Sequence, residues 1–186
     1  ILPMEVSDER EQLLETGGGV LNAKPYLEGS GQFLIHNVDI ISDLDIRWMA
    51  SQTRRDAMAT LLVSDRVTSR YLLFDPDTMR LKGWTNVVTG EVRSPYPDLD
   101  VTQCRRLAFS GIHIMSDTVF AALEDFVSRE GLDPEHPRFP IMDFYLSACA
   151  LYEIYGVEAD GLHLVDVGKL DTLEIAEKEI SRVSQN

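Results

Sequence analysis

Two short polar runs, each at the end of an apolar stretch, are the first places in this chain where chemistry can be sought. Asn37-Val38-Asp39 follows Phe33-Leu34-Ile35-His36, and Asp166-Val167-Gly168 follows Leu162–Val165. In open α/β sheets ligands bind beyond the carboxyl ends of strands. Asp39 and Asp166 at two such ends would suit a hard divalent cation, since Mg²⁺ takes one or two carboxylates and completes its shell with phosphate oxygens and water. Spacing alone leaves the plainer reading open, because Asp is common as a turn or helix-capping residue.

Two glycine-containing motifs add to these. Thr16-Gly17-Gly18-Gly19 precedes a helical pattern, and such a run lets backbone N–H groups approach a ligand closely. It matches neither GxxxxGK[ST] nor GxGxxG after a strand, so a flexible turn is the competing reading. Phe109-Ser110-Gly111 lies inside a strand pattern, where a glycine marks a bulge, a close approach or a packing need. His36, His113, His136 and His163 show no metal-ligand spacing, and His36 and His113 read as core or sheet-face residues. There is no GxSxG elbow. Arg66 and Arg70 flank Val67-Thr68-Ser69 and either face a phosphate or are solvated loop residues.

The elements that must position these residues alternate. Strand-length apolar runs occupy Phe33–His36, Ala59–Val63, Tyr71–Phe74, Arg80–Thr85, Leu107–Met115 and Leu162–Val167. Asp75-Pro76-Asp77-Thr78 reads as a hairpin turn between two of them. Helical spacing predicts helices over Asp117–Arg129, Ile141–Tyr155 and Leu170–Val183, with weaker ones over Gly19–Tyr26 and Asp43–Arg54. The alternation predicts an α/β domain with a mixed, mostly parallel sheet flanked by helices. At 186 residues the chain suits one domain, 1–186.

The charge narrows the partners. Lys and Arg total 17 against 31 Asp and Glu, a net of −14, which disfavours a nucleic-acid-binding module. A nucleotide ligand remains open, provided a metal ion, backbone amides or a few local basic residues meet its phosphates. No apolar run reaches the length of a membrane span. Cys104 and Cys149, 45 residues apart, make no CxxC pair or disulfide framework, a usage that fits a reducing cytoplasm.

Taken in order, Glu15-Thr16-Gly17-Gly18-Gly19, Phe33-Leu34-Ile35-His36-Asn37-Val38-Asp39, Ala108-Phe109-Ser110-Gly111-Ile112 and Asp166-Val167-Gly168-Lys169 resemble the sugar-1-phosphate nucleotidyltransferases, nearest the mannose-1-phosphate guanylyltransferase and N-acetylmuramate-1-phosphate uridylyltransferase group. The resemblance implies a Rossmann-like nucleotide-diphospho-sugar transferase fold. It also implies Mg²⁺-dependent transfer of a nucleoside monophosphate from an NTP to a sugar 1-phosphate, with release of pyrophosphate. Asp39 and Asp166 match the metal ligands, Thr16, Gly17 and Gly18 the segment along the base and ribose, Ser110 and Gly111 the segment touching the sugar, and Asn37 a residue near the sugar phosphate. Val38 stands where the nearest group often has Gly.

The family's first motif, a glycine-rich loop with Arg and a downstream Pro-Lys, does not occur in the chain, which opens at Ile1 inside an apolar stretch. The expectation is therefore a C-terminal larger part of such an enzyme. It would lack its first strands, be inactive as given, and be prone to self-association or to taking up strands from another chain. The alternative is a non-catalytic nucleotide-sugar-binding or regulatory domain of the same fold, and an unrelated acidic α/β interaction domain is a third reading.

Overall fold

The computed structural model describes residues 4–168; the helix expected over Leu170–Val183 lies outside them. The first helix, α1 (Glu15–Asn22), contains the glycine run, and a short α2 (Lys24–Leu27) follows. Helix propensity argues against three adjacent glycines, at about 1 kcal/mol each relative to Ala. Close packing overrides it. The N–H groups of Gly17 and Gly18 both donate to Phe139 O, at 2.9 and 3.3 Å, and a Cβ on Gly18 would lie 1.9 Å from Pro137 O.

After β1 (Gln32–His36), residues Asn37–Ile40 form a turn closed by Ile40 N–H donating to Asn37 O, and β2 (Ile40–Ser42) follows. The helix sought at Asp43–Arg54 is α3 (Ile46–Gln52). Asp45 is its cap, its carboxylate accepting from Arg47 and Trp48 N–H. Then come β3 (Ala59–Ser64), β4 (Arg70–Phe74), β5 (Leu81–Asn86) and β6 (Val92–Arg93). The expected turn at Asp75–Thr78 joins β4 to β5, with Asp75 Oδ1 accepting from Asp77 and Thr78 N–H. The long β7 (Arg105–Ser116) leads into α4 (Val119–Glu130), which Gly131 ends at φ 65°.

The predicted helix over Ile141–Tyr155 proves to be two elements. Helix α5 (Ile141–Ala148) stops in a turn where Ala148 O accepts from both Leu151 and Tyr152, and Ile154–Glu158 is a strand, β8. The β-branched and aromatic residues Ile154, Tyr155 and Val157 suit a pleated surface, and Glu153 O accepts from Met58 N–H to start the pairing. The last described strand is β9 (Leu164–Asp166), paired antiparallel with β2.

The main sheet has the order β6-β5-β4-β7-β3-β8, with β1 also on β7. It is mixed, but the expected parallel majority does not hold. Among the described residues only β3 and β8 are parallel neighbours, and every other pairing is antiparallel. The reason is β7. It runs opposite to β1, β3 and β4 and bonds to all three, so strands that point the same way are kept apart by one that does not.

Successive residues feed two cores, as the period of two requires. Leu61, Phe33 and Met115 join Phe120, Leu123, Phe126, Phe144 and Tyr145 beneath α1, α4 and α5. Leu62, Ile112 and Ile114 join Met49 of α3, bordered by Leu34, Ile40, Trp48 and Leu164. His113 is buried in the sheet, 2% exposed, with Nδ1 hydrogen-bonded to the Tyr145 hydroxyl and its ring edge-on to Phe109. This is the core histidine expected from the strand pattern.

Burial lowers the His113 pKa to about 3. The ordinary value near 6.5 applies to the unfolded chain, so between these values the unfolded state binds the extra proton and stability falls as pH falls. One such proton changes the unfolding free energy by about 1.4 kcal/mol per pH unit. Urea unfolding of wild type and His113→Gln at pH 7, 6 and 5 tests this: the variant should lose less stability on acidification, by about that slope below pH 6.5. Parallel pH profiles would assign the acid sensitivity to other groups.

Candidate functional site

The break in β7 builds the site. Opposite β3, Leu61 pairs with His113 and Val63 with Phe109, so Ser110, Gly111 and Ile112 together face Leu62. This irregular bulge lies where β7 passes from bonding β4 through Arg105–Leu107 to bonding β1 through Ile112–Ser116. Gly111 stands at the shift with φ 75°, a left-handed conformation open to glycine. Its carbonyl accepts from Asn37 N–H at 3.0 Å, so the bulge also anchors the turn that follows β1. A Cβ on Gly111 would lie 2.9 Å from the Asn37 amide nitrogen and 3.3 Å from the Ile40 side chain. Ser110 is 3% exposed, and its hydroxyl has no hydrogen-bond partner.

The turn then delivers Asp39. Ile40 pairs with Asp166 across β2 and β9, and Val167 N–H donates to Asp39 O at 2.8 Å. The two aspartates, remote in sequence, are thereby brought together. Gly168 lies between them: a Cβ there would sit 3.0 Å from Asp39 Oδ2 and 3.2 Å from Asp166 Oδ1. Asp166 Oδ1 also accepts Gly168 N–H at 3.0 Å. Two hard carboxylate oxygens around a space that a methyl group would fill form a donor set suited to a small divalent cation. Among the described residues no group of three or more His, Cys, Asp or Glu side chains converges, so other donors to such a cation would be ligand oxygens and water. Val38, at the tip of the turn, is 99% exposed beside this space.

Thr16, Gly17 and Gly18 have a different setting. The Thr16 hydroxyl accepts Ile141 N–H, Gly17 and Gly18 N–H are bonded to Phe139 O, and both glycines are buried. Their position shows a helix-packing contact in which the donors expected to face a nucleotide are already used. Asn37, Asp39, Gly111 and Asp166 converge, with Ser110 beside Gly111; Thr16, Gly17 and Gly18 are tied to the 137–141 segment.

Two features of the site were not read from the sequence. One is the spatial role of Gly168, whose signal is a glycine two residues after a strand-end aspartate. The other is the contact of Arg66, whose Nη2 donates to Phe109 O at 3.1 Å; no local pattern announces a bond across 43 residues.

No family model matches the chain, and no curated protein matches it. Among solved structures, it is similar to the inositol-1-phosphate CTP transferase from T. maritima, with a TM-score of 0.58 at 13% identity. The match covers 89% of this chain and 62% of that one, so the chain spans less than two thirds of the length of that structure. At this identity the likeness establishes the fold: a Rossmann-like α/β architecture with a mixed sheet flanked by helices.

Gly111→Ala should destabilise the protein by about 1–3 kcal/mol, because a Cβ meets both an unfavourable φ and the Asn37 side chain. Chemical denaturation measures the loss. Ala tolerated without loss would mean that the bulge rearranges freely and does not fix Asn37.

Proposed function

We propose that the chain is the sugar-binding and metal-binding part of a nucleotidyltransferase that joins a nucleoside monophosphate from an NTP to a sugar 1-phosphate and releases pyrophosphate. The observation that carries this reading is the meeting of Asp39 and Asp166 around Gly168. The fold likeness to a CTP transferase acting on inositol 1-phosphate supports it, as does the resemblance of the four motifs.

In the reaction an oxygen of the sugar phosphate bonds to the α-phosphorus of the NTP, and the bond from that phosphorus to the bridging oxygen of pyrophosphate breaks. Both reactants are anionic, so catalysis is mainly positioning and charge neutralisation. Asp39 and Asp166 would hold Mg²⁺, which when bound supplies the positive charge that draws two phosphates together. The β2–β9 ribbon fixes the separation of the two carboxylates before any ligand arrives. Asn37, held by its N–H on Gly111 O, would meet the sugar phosphate, and Ser110 and Gly111 would line the sugar. The absence of a side chain at Gly168 keeps the space between the carboxylates open. The nucleotide assignment of Thr16, Gly17 and Gly18 rests on the resemblance.

The second reading is a non-catalytic domain of the same fold that binds a nucleotide sugar. The N–H groups of Gly17 and Gly18 are committed to Phe139 O, so neither donor is offered to a nucleotide in either reading.

Pyrophosphate release by the full-length protein, over a matrix of NTPs and sugar 1-phosphates with and without Mg²⁺, separates the readings. Turnover should require the metal. Asp39→Asn and Asp166→Asn should each lower it by about 10² to 10³ with the fold retained, the usual scale for losing one preorganised electrostatic group. Binding of a nucleotide sugar without any turnover would establish the second reading, and full activity in either variant would remove that aspartate from the metal site.

A further inference from the structure

We propose that the cleft between β6, the end of α4 and the outer side of α5 binds a small organic anion with a flat apolar body, an aryl carboxylate, and that this occupant steadies the start of α1. The proposal is independent of the nucleotidyltransferase reading. The cleft has a volume of about 680 Å³, a size that suits a small molecule. Its floor is apolar, with Leu132, Leu146, Phe126 and Phe139, the two phenyl rings 5.0 Å apart between centroids. Arg93 and Arg138 line it against Glu130 and Asp143, so its charges balance in a chain of net −14. Three other clefts of the described residues are acidic. One has Asp8, Glu9, Glu11 and Glu135 against Arg10, another Asp75, Asp77, Asp98 and Asp100 against Lys82, and a third Asp43, Asp45 and Asp160 with no basic residue. Those repel an anion; the cleft at Arg93 and Arg138 admits one. Both guanidinium groups have donors to spare. Arg93 Nη2 donates to Asp143 at 2.6 Å, Arg138 Nε donates to Glu15 at 3.1 Å, and neither side chain has another hydrogen-bond partner among the described residues. Each guanidinium carries five N–H donors in a fork that fits a carboxylate.

One wall of the cleft is also the support of α1. Arg138, Phe139 and Pro140 line the cleft, and the same segment is bonded to the residues that open the helix. Arg138 holds Glu15, Phe139 N–H donates to Leu14 O at 3.1 Å, and Ile141 N–H donates to the Thr16 hydroxyl at 2.9 Å. Phe139 O takes the N–H groups of Gly17 and Gly18. Glu15 has φ 62°, a conformation a non-glycine residue keeps only where its surroundings hold it. A carboxylate on the Nη donors of Arg138 leaves Nε on Glu15, so the two bonds coexist. A ring packed on Phe139 and Pro140 holds the segment from the cleft side. The occupant then binds the arrangement in which α1 is docked. Local opening of the α1 start, which must let go of this segment, becomes rarer by mass action.

The test is titration calorimetry of the full chain with 2-naphthoate, with 2-naphthol, which has the ring without the charge, and with acetate, which has the charge without the ring. It uses wild type, Arg93→Ala, Arg138→Ala and Ser147→Trp. Wild type should bind 2-naphthoate saturably, at one site, and at least about tenfold more tightly than either partial probe. Arg93 and Arg138 are half-exposed, at 45% and 60%, so their removal should leave the fold intact. Each loss should weaken naphthoate about tenfold to hundredfold. Ser147→Trp fills the cleft, removes no charge and should abolish binding. Amide exchange reads the link to α1. At ten times its Kd, naphthoate should slow exchange of the Gly17 and Gly18 N–H groups by about tenfold and leave the amides of α3, which packs in the other core, unchanged. No saturable binding of 2-naphthoate, or binding as tight for 2-naphthol, would overturn the site. So would wild-type affinity in both arginine variants or in Ser147→Trp. Binding with unaltered exchange at Gly17 and Gly18 would overturn the link to α1. Pyrophosphate release is not among these readouts, so failure here and failure of the nucleotidyltransferase reading are distinguishable.

Discussion

Strand β7 cannot satisfy its neighbours as a straight strand, and the rest of the structure follows from how it breaks. It must bond β4 near its start and β1 near its end while β3 runs along it. The extra residues Ser110 and Gly111 absorb the mismatch with β3, and the left-handed φ of Gly111 makes the change of direction. Because Gly111 O then accepts Asn37 N–H, the break in one strand sets the position of the turn after another. That turn carries Asp39, and β2, which follows at once, brings Asp166 alongside through β9. A bulge is a place where ladder bonding is given up locally; here Gly111 O takes Asn37 N–H and Phe109 O takes Arg66 in place of ladder partners.

Much of this was legible in local pattern. The strand ends holding Asn37, Asp39 and Asp166, the hairpin turn at Asp75, the buried character of His113 and the glycine stop of α4 all follow from residue type and period. What local pattern does not carry is direction and partnership. Nothing in Arg105–Ser116 states that it opposes β1, β3 and β4 at once, so the parallel majority expected from alternating elements was wrong. The fused helix over Ile141–Tyr155 failed for a related reason. Apolar residues at helical spacing continued past Ala148, but the pairing of Ile154–Glu158 with β3 decided the conformation. Thr16–Gly18, expected as a ligand-facing run or a flexible turn ahead of a helix from Gly19, belongs to α1 itself, because the backbone of Phe139 packs against it and no local pattern announces that contact.

The glycines of the chain do two different kinds of work near the site. Gly17 and Gly18 are there because a neighbouring backbone is too close for a side chain. Gly168 is there with carboxylate oxygens on either side and no backbone obstacle among its near neighbours. Close packing accounts for the first pair completely. It does not account for Gly168, whose nearest neighbours are the carboxylates of the two aspartates, a pair of anions to which a cation would be drawn.

Electrostatics therefore links the two halves of the site. A chain of net −14 that places Asp39 and Asp166 at one point repels anionic substrates unless cationic charge is supplied locally. A divalent ion held by the two carboxylates would reverse the sign on that side. On the β7 side the protein has its own cation, Arg66, bonded to a carbonyl and not neutralised by a described carboxylate. The two positive sources would lie on different elements, the turn after β1 and the loop after β3, and the bulge at Ser110 and Gly111 is the piece of backbone that both depend on. A phosphate ester drawn toward the metal at one end would present its remaining oxygens or its ring substituents to the bulge. The geometry of β7, fixed by strand pairing before any ligand binds, would then set how far apart those two attractions act.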